Sequence, residues 1–379
     1  MKSNWQTKEI DDACEVEYGT RVVNKRDGGS VYSVYGGGGA TFHMDTFNRE
    51  YRMIVARFAM SERCTRFVKG KFFLNDSGLT LSPKDSKLIT QDFLDWQLLS
   101  LNNLIHSLAK GSAQKNLDLP AFRKVKITYP DSVDEQKRIV TKLDKIFKEL
   151  EKAKEFAEKN LQNSKELFNS HLQSVFLKPK MDWKSDTLEN LSQIKGGGTP
   201  SKSNKSFWIG EIPWVSPKDM KFEFITDSID HISNEAISGS TTSLMPIGTI
   251  LLVVRSGILE RTIPIAITAK EVAINQDLKA ILPNGVVLPK FLYFVFKASE
   301  RDILSKVSKG ATVHRLQSKF INEMKIHFPQ SLEEQKKVIK QTDDFVERVT
   351  TLEDIYNQKK QSLEEFKKSV LKKAFNGEL

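Results

Sequence analysis

Cations set among aromatic rings and glycines are the residue types that grip a polyanion, and this chain carries such groups in both of its halves. Arg21, Lys25 and Arg26 precede Gly28-Gly29 and then Tyr32 and Tyr35, mixing phosphate-seeking charge with planar rings on turns. Arg57, Arg63, Arg66, Lys69 and Lys71 form a second basic group. Farther along, Lys195-Gly196-Gly197-Gly198-Thr199-Pro200-Ser201-Lys202-Ser203-Asn204-Lys205 is a small, polar, basic loop whose backbone could approach phosphates closely. Trp208, Trp214 and Lys218 follow it, and Arg255, Arg261, His314 and Arg315 come later. Arginine can donate two hydrogen bonds to guanine in the major groove, whereas lysine more often settles on phosphate. Either role is open to each of these residues. For any one of them a solvated charge or a core aromatic is the plainer reading, so the groups carry more weight than their members. Arg255 closes the apolar run Ile250 to Val254, which reads as a buried strand, and Arg57 shares that ambiguity.

Other chemistries lack their residues. There is no Gly-x-x-x-x-Gly-Lys-Ser/Thr phosphate loop, and Gly36 to Gly39 lack the following lysine, so that run reads as a flexible turn. His43, His106, His171, His231, His314 and His327 show neither His-Glu-x-x-His spacing nor cysteine partners, which argues against a metal site. Neither a Gly-x-Ser-x-Gly elbow nor the Asn/Asp-Pro-Pro-aromatic motif of adenine methyltransferases occurs. Base chemistry would need a partner. Asp131, Glu135 and Lys137 superficially match a nuclease set, but they crowd one helix start, where carboxylates favour the macrodipole anyway.

Composition agrees with a soluble protein. The 379 residues leave room for two or three domains, 39% are hydrophobic and 28% charged, and no apolar run approaches a membrane span. Met1-Lys2-Ser3-Asn4-Trp5 has no signal-peptide character and Cys14 and Cys64 suit no disulfide framework, so a cytoplasmic location is expected. The net charge of +10 is compatible with a polyanionic partner.

The chain repeats itself. At a constant offset of 199, Gly111 falls on Gly310, Leu117 on Leu316, Lys126-Ile127 on Lys325-Ile326, Pro130 on Pro329, and Glu135-Gln136-Lys137 on Glu334-Gln335-Lys336. Upstream, with small gaps, Val55-Ala56-Arg57 resembles Val253-Val254-Arg255, Leu74-Asn75-Asp76 resembles Ile274-Asn275-Gln276, and Trp5 matches Trp183. Residues 36–55 and 216–253 do not align, and the second copy is longer there. Variable stretches on a shared frame are where specificity is expected to differ.

Each copy ends in a long helix. Ser132 with Glu135 reads as a capping box, repeated at Ser331 and Glu334. Ile139, Leu143, Ile146 and Leu150 recur at coiled-coil spacing, as do Val338, Phe345, Val349 and Leu352. Pro179 is expected to end the first helix and Asn376-Gly377 the second. About 45 residues make a rod of roughly 65 Å, too long to bury in one globular part. Antiparallel pairing of the two rods, holding the globular parts apart, is the economical solution; folding of each back onto its own domain is the alternative. Residues 1–130 carry 19 Lys and Arg against 14 Asp and Glu, and 181–330 carry 18 against 15, while 331–379 are balanced at 10 each. Most of the basic excess thus lies in the globular parts, weak support for nucleic-acid contact there.

In Gly196-Gly197-Gly198-Thr199-Pro200-Ser201, Ile212-Pro213-Trp214-Val215-Ser216, the Pro-x4-Glu-Gln of Pro130 and Pro329, and the ending Ala374-Phe375-Asn376-Gly377-Glu378-Leu379, the chain resembles the specificity subunits of type I restriction-modification systems. The resemblance spans nearly the whole sequence. It implies an α+β protein with a pseudo-twofold repeat: a mixed α/β target-recognition domain at 1–131, a long helix at 132–178, a second such domain at 179–330, and a second helix with the C-terminus at 331–379. Each domain would read one half of a bipartite, asymmetric double-stranded DNA site, with helix length setting the gap. The helices would dock two modification subunits, restriction (translocase) subunits being a further expected partner. This chain would be no enzyme and hold no cofactor; S-adenosylmethionine and ATP/Mg would belong to the partners. In the first domain Glu17-Tyr18-Gly19-Thr20-Arg21 replaces the Gly-Gly-Gly-Thr-Pro loop, and unequal domains imply unequal half-sites. Two rivals are a self-sufficient enzyme, against which the missing motifs argue, and a coiled-coil protein-binding adaptor without DNA readout.

Overall fold

The structure, a computed structural model, describes residues 4–178, 180–310 and 313–379. The expectations placed on Met1, Lys2, Ser3 and Pro179 lie outside the described residues. The chain forms two compact units, each built from one globular part and a portion of both long helices: residues up to Glu158 with Asn357–Leu379, and Lys159–Tyr356.

Largely buried apolar strands build the same four-strand frame in each unit, Ile250–Val253 and Ile265–Thr268 being buried at every position. In the first, Cys14–Tyr18, Gly78–Pro83, Arg49–Ala56 and Thr65–Leu74 lie side by side, and in the second Ser192–Gly196, Leu278–Pro283, Ile250–Val253 and Ile265–Thr268 do the same. A helix covers each frame, Gln91–Ser100 in one and Pro289–Ala298 in the other. A short antiparallel pair precedes each long helix, Trp5–Glu9 with Lys126–Pro130 and Lys184–Thr187 with Lys325–Phe328. The frames are then extended differently. The first sheet adds Tyr32–Tyr35 and Ala40–Met44, whereas the second unit builds a separate four-stranded sheet with Asp230–Ile232 and Leu244–Met245 on its edges. Those edge strands come from the stretch that has no counterpart in the first copy.

The long helices are Val133–Phe176 and Leu332–Phe375, 44 residues each. The Glu135 N–H donates to Ser132 Oγ at 3.3 Å, so Ser132 caps the first. The second ends on Gly377, at φ 71°, with the Glu378 N–H returning to the Lys373 carbonyl at 2.8 Å. The fully buried amides of Gln136 and Gln335 explain the Glu-Gln pair of the repeat. Gln136 Nε2 donates to the Leu88 and Pro130 carbonyls at 2.7 and 3.1 Å while its Oε1 accepts the Thr90 N–H at 2.9 Å. Gln335 repeats this with Val286, Pro329 and the Leu288 N–H at 3.0, 2.9 and 2.8 Å. Each amide ties the cap of the covering helix to the start of the long helix, satisfying backbone groups that would otherwise be orphaned.

The rods pair antiparallel within each unit. In the first, Ile139, Leu143 and Phe147 share a buried cluster with Val370, Leu371 and Ala374, with Ile146 and Leu150 packed against it. Arg138 Nη2 donates to the Leu379 carbonyl at 2.8 Å, Lys154 meets Glu364 at 3.1 Å, and Glu158 meets Lys360 at 3.4 Å. In the second unit, His171 stacks on Phe345 at 3.8 Å, and Leu172 and Phe176 share a cluster with Val338. Pairing is thus realised and folding of each rod onto its own domain alone is not: the first turns of each rod pack into the core of its own copy and the last turns into the core of the other. Leu352 is a correction. It stands 39% exposed, because the buried line of Val338, Thr342 and Val349 continues at a step of four through half-buried Glu353, a local break in the heptad.

One buried charge is left incompletely satisfied. Asp95, on the covering helix, is 3% exposed; its Oδ1 accepts from Gln91 Nε2 at 3.0 Å and its Oδ2 has no partner. Burial pushes its carboxyl up from 3.8 to about 7, against the smaller opposing effect of the Gln91 hydrogen bond. A raised carboxyl binds its proton more tightly in the folded state, so the contribution of Asp95 to stability is full below about pH 4 and is lost as pH rises through about 7. Asp95→Asn should flatten that decline, matching the parent near pH 4 and exceeding it at pH 8 by on the order of 4 kcal/mol. Urea unfolding at the two pH values checks this; a difference that does not change with pH would refute it.

Candidate nucleic-acid interface

The candidate residues gather, in part, at one corner of each unit, where four loops of the common frame meet. In the first unit these are the chain after Cys14–Tyr18, the turn Asn75–Ser77, the residues after Arg49–Ala56, and Lys115-Asn116. The Thr20 N–H donates to the Leu74 carbonyl at 3.0 Å, the Arg57 N–H to the Ser77 carbonyl at 2.8 Å, and the Leu117 N–H to the Arg57 carbonyl at 2.9 Å. In the second unit the Gly198 N–H donates to Ile274, the Val254 N–H to Asp277 and the Leu316 N–H to Val254, at 2.9, 2.8 and 2.9 Å. The turns match as well: Asn75 Oδ1 accepts the Ser77 N–H at 2.9 Å and Asn275 Oδ1 the Asp277 N–H at 3.0 Å.

This equivalence corrects one alignment made on sequence. Ala56 pairs with Gly78 and Val253 with Leu278, so Arg57 corresponds in space to Val254 and Phe58 to Arg255. The identity of Arg57 with Arg255 was a slip of one residue, and in a strand one residue is the difference between opposite faces. Replacement of the glycine-rich loop by Glu17-Tyr18-Gly19-Thr20-Arg21 turns out to conserve one glycine where it matters. A Cβ on Gly19 would sit 2.7 Å from the Leu74 carbonyl oxygen, and one on Gly197 2.6 Å from the Asn275 carbonyl carbon, so both loops need a bare backbone.

Arg57 is half-buried, its guanidinium carbon 5.0 Å from the Tyr18 ring centroid and 4.7 Å from that of Phe58. Its Nε is buried without a hydrogen-bond partner. In the second unit, Arg255 and Arg315 lie directly opposite each other on a two-residue ladder, Ser256 opposite His314. Arg255 reaches Asp277 only at 3.7 Å, and His314 Nδ1 is buried without a partner.

The other candidates are exposed, lie within the sheets or are engaged. Arg21, Lys25, Arg63, Lys69, Lys202, Lys205 and Arg261 are exposed, while Arg66 and Lys195 are half-buried in the sheets. Arg26 forks onto Asp27, both bonds 2.9 Å, and Lys218 is paired with Asp230 at 2.7 Å. Tyr32 leans on Phe47 at 5.2 Å between ring centroids and Tyr35 sits edge-on to Phe72 at 5.6 Å. Trp214 is a correction, being 6% exposed: its Nε1 donates to the Gly198 carbonyl at 3.0 Å, bracing the glycine loop from beneath. Trp208 packs edge-on to Trp214 at 5.0 Å and donates to the Ser201 carbonyl at 3.2 Å. The Gly36–Gly39 run is a turn closed by the Gly36 N–H on the Gly39 carbonyl at 3.3 Å, with the Gly37 N–H on Ser77 Oγ.

Sequence reasoning missed an exposed aromatic set in the first unit. Tyr51, at φ 45° on a bulge between Glu50 and Arg52, is 55% exposed, and Phe47 and Phe67 are each 41% exposed, with Lys71 Nζ 4.5 Å from the Phe47 centroid. The available signal was aromatics flanked by charge, Arg49-Glu50-Tyr51-Arg52 and Arg66-Phe67-Val68-Lys69.

Two similar frames with basic, glycine-dependent corners, on helices that pair head to tail, define a duplicated recognition protein. A sequence model described as the type I restriction modification DNA specificity domain matches residues 2–158 and 180–365, and the chain belongs to that family. It is 30% identical over 272 residues to the Escherichia coli type I restriction enzyme EcoR124I/EcoR124II specificity subunit, covering 70% of this chain and 66% of the relative. It is 31% identical over 172 residues to the MjaIX specificity subunit of Methanocaldococcus jannaschii, covering 44% and 39%. The matched part thus spans less than two thirds of either relative's length. In fold, it is similar to a chain solved under the heading of complex assembly and conformational transition of the type I R-M system, with TM-score 0.80 over 100% of this chain and 99% of that one, at 16% identity. The HsdS subunit from Thermoanaerobacter tengcongensis is also similar, with TM-score 0.58 over 100% and 98% at 16% identity.

Proposed function

We propose that the chain is the non-catalytic, sequence-specific DNA-binding subunit of a type I restriction-modification complex. Each unit reads one half of a bipartite, asymmetric duplex site. The paired helices carry two modification subunits, which bring S-adenosylmethionine and flip the target adenine, and restriction subunits bring the ATP- and Mg-dependent translocation. The observation that supports this best is that the family match occurs twice, once on each copy of the frame. Different extensions on the two frames favour unequal half-sites. Phe156, Ile355 and Phe366, 66%, 49% and 52% exposed on the long helices, favour protein docking there, and a pure adaptor would use the same residues. Among the described residues no helix is long and apolar enough to cross a membrane, which fits action on cytoplasmic DNA.

Mapping methylated adenines in cells with and without the chain separates the readings. The proposal expects a split motif that disappears with the chain; an unchanged pattern, with complexes still formed, would leave only the adaptor. Exchanging residues 1–130 for those of a relative of different specificity is expected to change one half-site and leave the other intact.

A further inference from the structure

Both units leave positive charge without a counter-ion at the same corner of the frame, and on different residues. Arg57 lies against the Tyr18 and Phe58 rings, and among the described residues its side chain has no hydrogen bond or ion pair, its Nε being buried. A half-buried cation that nothing neutralises is costly unless an anion arrives. In the second unit the space of Arg57 is taken by Val254, and the charge reappears one residue on, at Arg255, facing Arg315 across the ladder. Like charges directly opposite on paired strands repel, and Asp277, 3.7 Å from Arg255 Nε, offsets only one of them. Coincidence of unmet charge at one place, reached by non-equivalent residues, points to an anion that both units meet there.

We infer that Arg57 in the first unit, and Arg255 with Arg315 in the second, grip the phosphate backbone and do not read bases. The inference rests on the DNA-recognition reading above. Base readout needs a guanidinium fork projected to the floor of a major groove about 8.5 Å deep. Arg57 is half-buried, with two rings within 5.0 Å of its guanidinium carbon and its Nε inside, so it offers only part of its fork to an oxygen that comes out to meet it. Arg255 and Arg315 form a side-by-side pair whose repulsion a phosphate relieves by accepting from both at once.

The test measures DNA binding by the full chain, in complex with its modification subunits, between 50 and 200 mM salt. The probes are a duplex carrying the site found by methylation mapping and a scrambled duplex of equal length. Arg315→Gln and Arg57→Gln should each weaken binding to both duplexes alike, lower the slope of log affinity against log salt by about 0.9, and leave their affinity ratio within about twofold. Arg57→Lys, which keeps the charge, should retain the slope, and thermal unfolding of each variant reports whether the fold survives. A fall in the affinity ratio traced to one base pair would make the arginine a base reader and overturn the inference, as would an unchanged slope. If the parent complex itself does not distinguish the duplexes, the recognition reading fails instead, while the salt slope on scrambled DNA still judges the phosphate contacts.

Discussion

Gln335→Ala should destabilise the second unit by on the order of 4 kcal/mol. The amide is fully buried and uses both its donor and acceptor sides, and truncation strands the Leu288 N–H and the Val286 and Pro329 carbonyls in the interior. Each buried group left unmet costs about 1–3 kcal/mol, far more than the net worth of a hydrogen bond exchanged with water. Gln136→Ala should do the same to the first unit through Thr90, Leu88 and Pro130. Hydrogen exchange would locate the loss: faster exchange around Leu288 in one variant and around Thr90 in the other. A loss below about 1 kcal/mol would mean that water replaces the amide, and the amide's role as the joint between covering helix and rod would be abandoned.

Within the glycine loop, neighbouring substitutions should differ sharply. Gly197→Ala places a methyl group against the Asn275 and Ile274 carbonyls, and Gly198→Ala one 2.9 Å from the Thr241 carbonyl carbon and the Thr242 nitrogen, so backbone must move in both. Overpacking of this kind costs about 1–3 kcal/mol or more. Gly196→Ala meets only Lys279 Nζ, at 3.7 Å, the free end of a flexible side chain, and should stay within about 0.5 kcal/mol of the parent. Urea unfolding of the three variants is the measurement, and equal losses at 196 and 197 would show that the close approach is not what the glycine serves. Because Trp214 holds this loop through the Gly198 carbonyl, the 197 and 198 variants should also weaken DNA binding more than their stability loss alone explains.

Much of the architecture was legible because the repeat spelled the Glu-Gln start of the long helix and its apolar seam twice. Ser132 and Gly377 could be placed on helix ends from local rules, since caps and αL stops depend on a few adjacent residues, whereas the joint made by Gln136 could not, because Leu88 and Thr90 lie far off in sequence. The seam was legible over Ile139 and Leu143 but not at Leu352, where periodicity could not show that the buried line steps past an apolar residue to Glu353. Trp214 was misjudged because an aromatic in a basic stretch looks the same whether its ring faces solvent or braces a loop; only the contact with Gly198 separates the two.

From its order of residues alone the chain determined a twofold repeat, two long capped helices and basic, glycine-bearing loops, because these are signals of spacing and composition that survive without coordinates. Tertiary structure decided which of the loops meet, that Arg57 stands where Val254 stands and not where Arg255 does, and which cations lack a partner. The physical reason is that strand register and charge compensation are set by neighbours distant in sequence. A one-residue slip that leaves an alignment looking sound moves a side chain to the other face of a sheet.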